Sequence, residues 1–194
     1  MSSHIVQLRQ LLTILGEEAG DSIDWKATEA AYNVVFPEDY KEFIRTFGNG
    51  TIEGMIGVKI PIVTSDPTVR RVDTLPRPAL ENPDVSKWIR PDLGEKYRLT
   101  QILVWGDTDS ADTLGWIVGG PDPEKWPLAV YSRGDAAWSV YHCGMVEFLV
   151  KLLRGEFTEC PISDTSLVGL ENPRFLHDRD EERLAEQGIY PWDE

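Results

Sequence analysis

The acids of Asp107-Thr108-Asp109-Ser110-Ala111-Asp112 come closest to a chemical site by type and spacing. Alternating carboxylates on a short loop can wrap a calcium ion. A helix–loop–helix calcium loop, however, needs Asp-x-[Asp/Asn]-x-[Asp/Asn]-Gly and a bidentate Glu at its twelfth position. Here the fifth position is Ala111, the sixth is Asp112 and the twelfth is Val118. The segment therefore reads as an Asx-rich turn between strands. His142-Cys143 invites a thiolate–imidazole reading, but neighbours on a strand point to opposite faces, so the pair cannot serve itself. The other histidines, His4 and His177, lie near the termini. No G-x-S-x-G, P-loop, H-E-x-x-H or G-x-G-x-x-G is present. Paired carboxylates could be drawn from 33 acids in any fold, so they carry no information. The expectation is a chain with no catalytic residue, no cofactor and no metal.

Charge points elsewhere. The net charge is −14, which repels nucleic acid and anionic membrane and suits a basic protein partner. Acids on loops would steer such a partner, and a large aromatic would anchor it. The candidates are Asp107, Asp109 and Asp112 in one loop, and Asp122 and Glu124 with Trp126 in the other. The two loops flank the strand expected at 113–119, so they belong to opposite sheet ends, and the denser 107–112 cluster is favoured. Trp105, Trp116 and Trp138 fall in strands and are expected in the core. The segment 156–194 is itself strongly acidic, yet Phe175, Leu176, Leu184, Ile189, Tyr190 and Trp192 argue that it docks. Leu8, Leu11, Leu12 and Leu15 are interrupted by Arg9 and Gln10, unlike a leader's continuous apolar core. No run approaches the ~20 apolar residues of a membrane span. Two cysteines make no disulfide framework, and a cytoplasmic protein is expected.

These residues need elements to hold them. A first helix is expected over His4–Leu15 and a second after Asp24, a good N-cap. Phe36 to Gly50 encodes a third with both ends written in. Pro37 suits the first turn, and Glu38 and Asp39 favour the positive end of the dipole. Tyr40, Phe43, Ile44 and Phe47 make one apolar stripe, and Gly48-Asn49-Gly50 is a stop. Strands are expected near 55–63, 101–106, 113–119, 128–132 and 137–143, and a closing helix near 145–154. Residues 66–100, with Pro67, Pro76, Pro78, Pro83 and Pro91, read as an irregular insertion with a helical turn near 85–89. A short helix is expected from Asp178 to Gln187, stopped by Gly188. The fold class is α+β, with an antiparallel sheet packed against helices. One domain spans 1–158, and 159–194 is an acidic extension docked on it.

The order of pieces resembles the SUKH superfamily of bacterial immunity proteins and fungal cell-wall regulators. The matching residues are Trp25, Phe36-Pro37 with Tyr40, Phe43 and Asn49-Gly50, the block Ile102 to Gly106, Gly115-Trp116-Ile117-Val118, and Met145 through Leu153. They cover roughly residues 20–158. Residues 66–100 and the tail after 158 depart from a minimal version of the pattern. The resemblance implies a protein-binding role: neutralising a toxin, often a nuclease, by occupying it, or acting as a regulatory or scaffold module as fungal relatives do. Because the ligand spacings are absent, elemental analysis of the purified protein should find no stoichiometric calcium or zinc. A metal lost only on denaturation would overturn that expectation.

Overall fold

The structure is a computed structural model that describes residues 3–64 and 70–193. Pro67 and the start of the expected insertion, 66–69, lie outside the described residues. The remainder is α+β. Among the described residues a nine-stranded sheet, open at its ends, runs in the order β1-β9-β2-β3-β5-β6-β7-β8, with β4 beside β5. The strands are β1 Thr13–Leu15, β2 Gly50–Ile52, β3 Ile56–Val58, β4 Asp73–Thr74, β5 Ile102–Thr108, β6 Thr113–Ile117, β7 Leu128–Ser132, β8 Ala137–Tyr141 and β9 Arg174–His177. All pairs are antiparallel, as expected, except β1 with β9, whose parallel pairing makes the sheet mixed.

One face carries α1 Ser3–Leu11, α3 Glu38–Thr46 and α6 Met145–Leu153. The stripe of α3 is wholly buried: Tyr40, Phe43, Ile44 and Phe47 are each 0% exposed. Gly48, at φ 80°, ends that helix in the left-handed region. Helix α6 is apolar nearly all round, as suits an element between a sheet and other helices. Leu103, Trp105, Leu114, Trp116, Leu128 and Val130 meet these helices from β5, β6 and β7. Helix α2, Trp25–Tyr32, is capped as expected by Asp24, whose Oδ1 accepts from Ala27 N at 3.1 Å. Its Trp25 packs on Phe36 and Tyr40.

The other sheet face is also buried, and the insertion covers it. Ile102, Val104, Ile117, Ala129, Tyr131 and Trp138 lie beneath Leu75, Leu93 and Tyr97. The insertion contains α4 Arg77–Glu81 and α5 Pro91–Lys96. The helical turn expected near 85–89 is instead a segment running along β8. Trp138 N donates to Lys87 O at 2.8 Å, and Ile89 N donates to Trp138 O at 2.9 Å. Trp138 Nε1 donates to Val85 O at 2.8 Å. The physical reason is that β8 would otherwise leave its backbone groups unpaired at the sheet edge.

Three further expectations change. Helix α1 stops at Leu11, and Thr13–Leu15 is a strand because Pro173 O and β9 claim its backbone. The strand expected at 55–63 shortens to β3, and it pairs in a hairpin with β2, a strand not expected, turned by Glu53 at φ 52° and Gly54 at φ 65°. The segment 159–194 does more than dock. It supplies β9, an interior strand between β1 and β2, and then α7, Asp178–Glu186. Phe175 of β9 is buried against Phe43 and Phe47. A chain ending at residue 158 should therefore lack cooperative unfolding. Retention of the full-length urea midpoint in that truncation would refute the role given to β9.

Candidate functional site

The two loops expected to bind a partner are mostly occupied within the fold. Asp107 is half-buried and pairs with Lys59 Nζ at 3.0 Å and with Arg70. Asp112 is 1% exposed. It accepts from Thr108 Oγ1 at 2.9 Å, Arg133 N at 2.8 Å and Ser163 N at 2.8 Å. It therefore ties three loops together, and its carboxylate faces inward. Ala111, at φ 64°, makes the turn that aims it. Asp109 alone of the three is exposed. The picture of a contiguous acidic cluster at 107–112 is thereby corrected: a buried carboxylate needs partners, and this one found them in the fold.

At the opposite end of β6, Asp122 pairs with Lys125 Nζ at 2.8 Å. Glu124 is exposed, yet its Oε1 accepts from Glu38 N at 2.7 Å, at the start of α3. Trp126 is 6% exposed and joins the core. The turn Pro123–Lys125 folds it back over the sheet, so it is no surface anchor.

The structure assembles a different constellation, at the seam where the tail meets the domain. Asp21, Asn49, His177, Asp178 and Arg179 line a cleft of ≈ 440 Å³. Asn49 N donates to Asp21 Oδ2 at 2.7 Å, and Asn49 Nδ2 donates to Asp178 Oδ2 at 2.7 Å. Asp178 N donates back to Asn49 O at 3.0 Å. Arg179 N donates to His177 Nδ1 at 3.1 Å, which leaves Nε2 to carry the proton towards Asp21 Oδ2, also at 3.1 Å. The Arg179 guanidinium reaches Asp21 Oδ1 at 2.5 Å and Glu18 Oε2 at 3.1 Å. Gly48 leaves the necessary room, since a Cβ there would sit 2.6 Å from His177 Nε2 and 2.7 Å from Asp21 Oδ2. A Cβ on Gly50 would clash with Leu176 O. Gly48-Asn49-Gly50, read in the sequence as a helix stop, is also the socket of the tail.

An Asp–His pair suggests acid–base chemistry, but both ring nitrogens of His177 are already engaged and the residue is 1% exposed. Burial pushes the Asp21 carboxyl up, but His177, Asn49 N–H and Arg179 outweigh it and hold the group well below the usual range. Such a carboxylate is a fixed anionic strut. Burial and nearby Glu147 push the Cys143 thiol up to about 11, which makes it a poor nucleophile. Among the described residues no group of three or more His, Cys, Asp or Glu could hold a metal, and no helix is long and apolar enough to cross a membrane.

The exposed side of the tail is distinct in character. The arginines of α7 are paired: Arg179 with Asp21 and Glu18, Arg183 with Asp180 and Glu17. Glu182 and Glu186 remain exposed, as does Asp193. Trp192 is held down, with Nε1 donating to Glu181 Oε1 at 2.9 Å and the Arg174 guanidinium 5.1 Å from its ring centre. Between these anchors Ile189 and Tyr190 are 48% and 60% exposed. Large apolar side chains left exposed in a strongly acidic segment have the make-up of a protein contact. In sequence the cue was only the mixture of acids and aromatics after residue 156. Comparison with protein-family models, with curated proteins and with solved structures gave no match to this chain.

The seam has a pH signature. Burial also opposes the Asp180 carboxylate, but Glu18 N–H, Arg183 and Glu17 N–H hold it below the usual range. A carboxyl lowered in the folded state stabilises the protein above its unfolded pKa, roughly 4 for Asp, and loses that contribution as pH falls through its folded pKa. Urea midpoints should drop as the solution is acidified below roughly pH 4, and Asp21→Asn should flatten that drop. Asp180→Ala strands the amides of Glu17 and Glu18 and should cost about 3 kcal/mol at neutral pH. Midpoints unchanged by both substitutions would show that the seam contributes nothing.

Proposed function

We propose that this chain is a non-enzymatic protein-binding domain of the SUKH kind, and that it acts as an immunity protein, neutralising a basic, nuclease-type toxin by direct binding. The observation that carries this reading is the outward face of the tail. Arg179 and Arg183 are paired with acids, Glu182, Glu186 and Asp193 are exposed, and Ile189 and Tyr190 are exposed in the same segment. A nuclease carries basic surface for nucleic acid. An acidic face meets it with complementary potential and speeds encounter, while a tyrosine at the centre sets the dissociation rate. The net charge of −14 supports the same assignment over the whole molecule. Asp109 adds a lone exposed acid on the β5–β6 turn.

The test looks for a toxin-like domain encoded by a gene next to this one and uses it as the partner; absence of such a gene counts against the reading. Stopped-flow association should slow in Glu182→Lys/Glu186→Lys, and the salt dependence should flatten. Tyr190→Ala should leave association near wild type and raise the dissociation rate roughly 30-fold, the equivalent of ~2 kcal/mol at a hot spot. Both variants should keep the wild-type urea midpoint, because the positions are exposed. Unchanged rates in both variants would remove this face from the interaction, and failure of the neighbouring domain to bind would refute the toxin reading itself.

A further inference from the structure

The two ends of the sheet are finished differently. At the β8 end, Lys87 and Ile89 take up the backbone groups of Trp138. At the other end β1 has one neighbour, β9, and its outer edge is bare among the described residues. The parallel register pairs Thr13 with Arg174, Ile14 with Phe175 and Leu15 with Leu176. Thr13 N donates to Pro173 O at 2.8 Å. Along a parallel ladder, successive residues of one strand bond to opposite sides. Thr13 and Leu15 therefore turn their N–H and C=O groups to β9, and Ile14 turns both of its own outward. Neither group of Ile14 has a partner among the described residues. Its side chain is 39% exposed as well. Natural edges are blunted by Lys, Pro, a bulge or a covering segment. Thr13-Ile14-Leu15 has none of these and is guarded only by being three residues long.

Charge decides what can cover this edge. Two copies of a chain carrying −14 repel each other unless the charges at their contact alternate. At β1 they do. Arg9, in the last turn of α1 just before the strand, is exposed and makes no ion pair among the described residues. Glu17 and Glu18 follow the strand, and Glu17 keeps 84% of its side chain exposed despite a 3.6 Å contact with Arg183. The strand is thus basic at its start and acidic at its finish. Laid antiparallel on a second copy of itself, it sets each basic end beside an acidic one. A uniformly basic strand from another protein would suit Glu17 and Glu18 but be repelled by Arg9. With Ile14 facing Ile14 across a two-fold axis, each outward N–H meets the other copy's C=O. The two side chains then form a cross-strand pair on one face of the sheet. We propose that this edge is the contact of a homodimer, in which β1 pairs antiparallel with β1 of a second copy and one sheet runs through both. A contact this short is far from the area of a permanent interface, so the dimer is weak and concentration-dependent.

The inference is independent of the acidic tail, and its test uses the full chain without any protein partner. Sedimentation equilibrium is run at about 0.15 M salt, where charges more than ~8 Å apart are screened. The mass should rise from 21.9 kDa towards twice that value between about 10 μM and about 1 mM protein. Ile14→Lys places a charge on the edge and should hold the protein at the monomer mass throughout. Ile14→Pro, which removes the outward N–H, should do the same. Both positions are exposed, so both variants should keep the wild-type urea midpoint. Hydrogen exchange of the wild-type protein, read residue by residue by NMR, decides the matter even if a variant unfolds. Exchange of the Ile14 amide should slow at least tenfold in the concentrated sample. The Thr13 and Leu15 amides, already bonded to β9, should change far less. A monomer mass at the highest concentration overturns the proposal. So does a dimer in which the Ile14 amide stays unprotected, because another surface then joins the copies.

Discussion

One end of this sheet depends on one strand arriving from late in the chain. Arg174–His177 lies between Thr13–Leu15 and Gly50–Ile52, and neither of those strands pairs with the other. Without β9 the backbone of β1 has no partner and Phe175 leaves a hole beside Phe43 and Phe47. The closure entropy of so long a loop grows only slowly with length, so the arrangement is affordable at equilibrium. Its cost is kinetic, because pairing across so much sequence delays the reward of local structure.

The polar seam explains why the strand stays. Asp21, Asn49, His177, Asp178 and Arg179 satisfy one another almost completely, and Asp180 satisfies the amides of Glu17 and Glu18. Buried carboxylates without such partners would be destabilising. With them, the seam specifies one register for the tail, since a shift by one residue would reverse the faces of Phe175 and His177. The same arrangement sorts charge. Arg179 and Arg183 of α7 pair with acids of the seam, whereas Glu182, Glu186 and Asp193 keep exposed carboxylates.

The sheet is covered on both sides for a similar economy of burial. Helices α1, α3 and α6 take one face and the insertion takes the other, with Leu93 and Tyr97 over Ile102, Ile117 and Trp138. The insertion therefore has a packing role that its proline-rich composition conceals.

The local periodicities were sufficient for much of this. The stripe Tyr40, Phe43, Ile44 and Phe47, the strands at 128–132 and 137–141, the helix at 145–153 and the helix from Asp178 are all legible, because each is set by contacts within a few residues. Strand β9 was not legible: four residues, Arg-Phe-Leu-His, are too few to display a period, and their strand character comes from two distant neighbours. The inward turn of Asp112 and the folding back of Trp126 were equally hidden, since a carboxylate or an indole reads alike whether it faces water or a turn. Composition determined an acidic chain, and its periodicities an α+β one with an aromatic core. Tertiary structure decided which acids are struts and which are surface, because burial and hydrogen-bond partners, not residue type, separate the two.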